Sequence, residues 1–117
     1  MVDDDIRLWH VSLTVAGGHV EPLIVRAALR RLAEQRPFLH SLKFATDRAE
    51  IQYWEEAETL LDASSLALRV WNEYRDSAGL PAWEVVGLEV LERTVFQGRG
   101  HEYNVIVDLH DVTPLPF

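Results

Sequence analysis

Hydrophobic and polar positions alternate from Arg7 to Ala16, so that Trp9, Val11, Leu13 and Val15 fall on one side and Leu8, His10, Ser12 and Thr14 on the other. The two-residue period of a pleated strand separates them in this way. A strand apolar on one side needs a covering layer, and helical patterns further along supply it. Gly17-Gly18 ends the alternation, and Pro22 opens a helix in which Val25, Ala28, Leu29 and Leu32 recur at helical spacing up to Gln35. Pro37 stops it by excluding the preceding residue from helical backbone. Phe38 to Ala45 reads as a second strand, with Phe38, His40, Leu42 and Phe44 on one face. Ala49 to Glu55 alternates again as the third, completing a hairpin. On it Ile51 and Tyr53 face one way and Trp54 the other, and the inward side is assigned to Ile51 and Tyr53.

A second helix starts near Thr59, capped by Thr59 or by Asp62, carries a stripe of Leu61, Leu68, Trp71 and Tyr74, and stops at Gly79 with Pro81 just beyond. Trp83 to Phe96 predicts one long fourth strand. Val86, Leu88 and Val90 form one of its faces, and Trp83, Val85, Gly87, Glu89 and Leu91 the other. Gly87 inside it marks a bulge or a close backbone approach. Gln97 to Gly100 is a loop, and Tyr103 to Leu109 reads as an additional short strand. Thr113 to Phe117 is expected to dock or trail without regular structure, since its prolines remove donors.

The order strand, helix, strand, strand, helix, strand resembles the ferredoxin-like α/β plait (βαββαβ), an α+β fold in which two helices cover one face of a four-stranded antiparallel sheet. It spans about residues 7–96 of a single domain, with 97–117 as a C-terminal extension. The phrases Trp9-His10-Val11-Ser12-Leu13, Ile51-Gln52-Tyr53-Trp54-Glu55-Glu56-Ala57 and Trp83-Glu84-Val85-Val86-Gly87-Leu88-Glu89-Val90 also resemble a small uncharacterised bacterial family. That likeness implies no activity. The plait implies central first and third strands, with the fourth beside the first.

Composition narrows the function classes. With 117 residues and no cysteine, the chain can bury a core without disulfides and has no thiolate chemistry, which suits a reducing, cytoplasmic home. No apolar run approaches the ~18 residues that span a bilayer, so no membrane association is expected. A formal charge of −8 argues against nucleic acid, whose phosphates need clustered Lys and Arg. The charge is uneven: Glu50, Glu55, Glu56, Glu58 and Asp62 run without a base between them, whereas Arg26, Arg30, Arg31 and Arg36 gather in the first helix. Either the two elements attract each other across their solvent edges, or the acidic edge docks a charged partner.

The sheet face away from the helices is expected to carry His10, Ser12, Thr14, Gln52, Trp54, Trp83, Val85 and Glu89. A contiguous apolar patch of this kind marks an interaction site. The leading reading is a non-catalytic module that self-associates as a homodimer, or binds a protein partner, through this face. The alternative is a small-molecule-binding protein or cofactor-independent enzyme with a pocket between paired sheets, using His10 with Glu89. The five histidines are scattered, so no metal and no cofactor is expected. Ser64-Ser65 lacks a nucleophile elbow and Gly98-x-Gly100 lacks the rest of a dinucleotide fingerprint.

Overall fold

The computed structural model describes residues 7–99 and 112–117. Strand β1 (Leu8–Ala16) is followed by helix α1 (Pro22–Gln35), β2 (Leu39–Phe44), β3 (Arg48–Glu56), helix α2 (Leu60–Ala78), β4 (Glu84–Glu92), the short helix α3 (Arg93–Gly98) and β5 (Leu115–Pro116). The sheet order is β4-β1-β3-β2-β5. Its first four strands pair antiparallel in the order of the ferredoxin-like plait, and β5 adds to the β2 edge in parallel. Among the described residues, no helix is long and apolar enough to cross a membrane.

The core lies between the sheet and the two long helices. Val11, Leu13 and Val15 from β1 and Ile51 and Tyr53 from β3 are fully buried in one core with Val25, Ala28, Leu29 and Leu32 of α1, as the alternation and the helical spacing require. Helix α2 departs from its expected stripe. Its buried side is Ala63, Ala67, Val70, Trp71 and Ala78, while Leu60, Leu61 and Leu68 are exposed. Small residues let α2 sit close to the sheet, and Trp71 fills the remaining space. The helix begins at Thr59, whose side chain accepts from the Asp62 N–H, and ends at Gly79 in the left-handed conformation (φ 69°), where glycine avoids a Cβ clash.

Two bulges set which side chains reach the open face. In β2, Leu39 pairs with Tyr53 and Ser41 with Gln52, so His40 is an extra residue. Leu39, Leu42 and Phe44 therefore turn into the core, and Phe38 stands outside the strand at positive φ (68°), half exposed. In β4, Gly87 pairs with Thr14 and Val85 with Val15, leaving Val86 as the extra residue. This bulge corrects the expected faces of β4: Val85 packs against the core and Trp83 joins it, so neither lies on the open face. Trp83 donates to the Gly18 carbonyl (2.7 Å) and stacks parallel to Trp71 at 6.2 Å. Gly17 is required there, because a Cβ would fall 2.4 Å from Trp83 Cδ1.

The fourth strand ends at Glu92, where the chain turns into α3 and does not continue to Phe96. At the other edge Leu115 and Pro116 pair with Lys43 and Phe44, and the Phe117 N–H donates to the Phe44 carbonyl (3.0 Å). The C-terminus is thus a regular edge strand despite its prolines, since an edge position leaves one side free of ladder bonds. The strand expected over Tyr103–Leu109 lies outside the described residues.

Candidate functional site: a histidine pair on the open sheet face

Antiparallel register places the open-face side chains in rows across the sheet. One row is Glu89, Ser12, Gln52 and Ser41; the next is Gly87, Thr14, Glu50 and Lys43. The face is therefore polar at its centre, in contrast to the apolar patch expected from Trp54, Trp83 and Val85. Charges of both signs lie on it: Lys43 stands across from Glu50, whose carboxylate accepts from Gln52 Nε2 at 3.5 Å, and the Glu89 carboxylate accepts from Arg99 at 3.2 Å. Glu89 also sits across from Ser12, with Leu91 across from His10, which sets aside the expected His10–Glu89 pair.

One row further along, aromatic rings replace the hydroxyls. His10 is 2% exposed, and its Nε2 lies 2.7 Å from Nε2 of His40. The bulge in β2 is what presents His40 to the open face. Trp54 meets His10 edge-on at 5.1 Å, and Phe96 of α3 stacks on it at 3.8 Å. Helix α3 thus folds back over the face and buries Phe96 and Trp54 against the imidazole. Sequence reading singled out His10 and Trp54 but not His40 or Phe96. The missed signal was Leu39-His40-Ser41, whose polar pair interrupts the alternation at the bulge.

The pair fixes the protons. Two nitrogens 2.7 Å apart need one N–H and one lone pair between them. Burial pushes the His40 imidazole below its ordinary value of 6.5, and a hydrogen bond to its own backbone partly opposes this. The 2.7 Å contact engages the Nε2 atoms of the two rings with each other. Neither Nε2 is then poised as a general base for an outside substrate. Among the described residues no three His, Asp or Glu side chains group into a metal-holding set.

The acidic edge is partly spent within the fold. Glu55 pairs with Arg36 at 2.7 Å, both side chains mostly buried, and the Arg36 guanidinium covers the Tyr53 ring at 4.5 Å. Glu56, Glu58 and Asp62 are exposed; Glu58 offers its backbone carbonyl to Arg7 and Asp62 its N–H to Thr59.

Fold and site together define a ferredoxin-like plait whose open face carries a histidine pair under a short helix. A family model described as Domain of unknown function (DUF8830) matches residues 8–105, and the chain belongs to that family. No curated protein matches. Among solved structures, the chain is similar to an acylphosphatase from Coxiella burnetii, with 16% identity, 97% of this chain and 95% of that chain covered, and a TM-score of 0.40.

Proposed function

We propose that this chain is a non-catalytic binding protein and that its ligand is a small, uncharged, hydrogen-bonding molecule seated on the open sheet face. The observation that carries the reading is the row Glu89–Ser12–Gln52–Ser41 lying directly beside the His10–His40 pair. Hydroxyls and a carboxamide offer donors and acceptors in a fixed line on rigid strands, which suits recognition of a polar ligand. Charges of both signs on the face favour a neutral one. A face of this polarity also suits a second apolar sheet poorly, which weighs against self-association through it. Occupation of both Nε2 atoms by each other favours binding over acid–base catalysis.

Thermal unfolding tests the reading with xylitol, glucose and nicotinamide as probes. At least one of the three is expected to raise the Tm in a concentration-dependent way, because a ligand bound only to the folded state stabilises it by mass action. Gln52→Leu is expected to remove that response. If none of them stabilises the protein, or if Gln52→Leu responds like the parent, the reading fails.

A further inference from the structure

Among the described residues, the arginines of α1 and the acidic run around the end of β3 meet in one ion pair, Arg36 with Glu55. Arg7, Arg48 and Arg99 hold carboxylates elsewhere, whereas Arg26 and Arg30 form no ion pair there, and neither do the carboxylates of Glu58 and Asp62. Each of these two sets of charges stands beside an exposed leucine. On α1, Leu23 is 76% exposed and lines a groove of about 380 Å³ with Arg26, Ala27, Arg30 and Arg31, with Glu34 at its far end. On α2, Leu61 is 74% exposed next to Asp62.

The two patches lie at opposite ends of the helical side of the molecule. Helix α1 starts beside the β2–β3 turn, where the Gly17 and Val20 N–H groups donate to the Asp47 and Thr46 carbonyls (3.0 and 2.8 Å). Helix α2 starts beyond the other end of β1, where the Ala57 N–H donates to the Arg7 carbonyl (3.1 Å). The nine residues of β1 separate these points by about 30 Å at roughly 3.4 Å per residue.

We infer that a second copy of this chain covers the helical side, with a two-fold axis crossing the middle of that layer. Such an axis turns one copy end for end. Leu23, Arg26 and Arg30 of each copy then meet Leu61, Asp62 and Glu58 of the other, in the self-complementary manner of an isologous interface. Charge complementarity identifies the occupant, because each patch carries one exposed leucine and two unpaired charges, and the signs are opposite. Exposed ion pairs alone hold little, so the leucines supply affinity when shut from water and the charges decide which end meets which. The net charge of −8 repels two copies at long range, and pairing basic ends with acidic ends offsets it. The open sheet face lies on the other side of the sheet and stays free, so this assembly is independent of the ligand reading.

Sedimentation velocity of the full chain over a concentration series tests the pairing. Wild type is expected to form a species of twice the chain mass. Arg26→Glu with Arg30→Glu sets acid against acid, and Glu58→Lys with Asp62→Lys sets base against base. Each double variant alone should dissociate about tenfold more readily than wild type, or more. Mixed in equal amounts, the two should recover wild-type affinity, because each end again meets its opposite. Leu23→Gln and Leu61→Gln keep the charges, lie at exposed positions outside the core, and should each weaken the dimer. Thr14→Lys, on the open face, should leave it intact. A wild type that stays monomeric at every concentration would overturn the inference. So would a dimer that both double variants leave unchanged, one that their mixture fails to restore, or one that Thr14→Lys disrupts.

Discussion

Phe96 lies on His10 with 3.8 Å between ring centroids and 26° between ring planes. This contact, with the edge-on approach of Phe96 to Trp54 at 5.3 Å, joins a six-residue helix to the centre of the sheet, and Phe96 is the buried side chain of α3. Phe96→Ala is therefore expected to lower stability by about 3 kcal/mol, at the low end for deletion of a buried phenyl ring. Denaturant unfolding measures the loss. Trp54 emission should shift to longer wavelength in the folded variant, because Phe96 shields that indole.

Stability should also fall in mild acid. Burial holds the folded His40 below its ordinary 6.5, so the unfolded chain binds protons more readily as the pH drops through that value. The contribution of His40 is complete above pH 6.5 and is lost progressively as the pH falls towards the lower, folded value. Urea unfolding at a series of pH values should show this slope in wild type and a shallower one in His40→Gln.

Tyr53 is fully buried in the core, and its hydroxyl has no hydrogen-bond partner among the described residues. Tyr53→Phe should leave stability unchanged or raise it by up to ~1 kcal/mol, since deleting an unsatisfied buried group removes its desolvation cost. Burial, only partly offset by the Arg36 charge, pushes the phenol up to about 12. Because the folded value lies above the ordinary 10.0, the neutral form favours folding below pH 10 and that advantage fades as the pH rises towards 12. Phenolate absorbance in the folded protein should show one tyrosine ionising last, and that component should vanish in Tyr53→Phe.

Glycines at two close approaches should behave differently. A Cβ at Gly17 would meet the Trp83 ring at 2.4 Å, and that ring is fixed by its bond to Gly18 and its stack on Trp71. Gly17→Ala should cost about 1–3 kcal/mol through displacement of Trp83. At Gly87 the added atom would meet Thr14 Cβ at 3.2 Å on an open face, and a shift of a few tenths of an ångström relieves it. Gly87→Ala should cost less than Gly17→Ala when the two are compared by thermal unfolding.

Much of this architecture was legible in the chain. The alternation of Trp9, Val11, Leu13 and Val15 gave β1 its faces, and the spacing of Val25, Ala28, Leu29 and Leu32 gave α1 its buried side, because both patterns repeat with the period of the element. What was hidden depends on single residues that break a period. His40 and Val86 are bulges, and each reverses the faces of the residues beyond it; hence Leu39 turns inward, and Trp83 and Val85 leave the open face for the core. The turn from β4 into α3 was equally hidden, since Leu91-Glu92-Arg93-Thr94-Val95-Phe96 has strand-like composition and the helix packs through contacts of Phe96 with His10 and Trp54, both far away in the chain. On α2, leucines were expected inside, yet close packing against the sheet selected alanines. The histidine pair joins residues thirty positions apart through one of those bulges. No local pattern encodes it.

The most direct test of the central claim is a map of backbone amide shifts by nuclear magnetic resonance as glucose and nicotinamide are titrated into labelled protein. If the open face is the working surface, the shifts will concentrate on Ser12, Ser41, Gln52 and Glu89 and reach the His10 and His40 rings. Shifts gathered on the outer surfaces of α1 and α2, or none with either probe, would contradict the account.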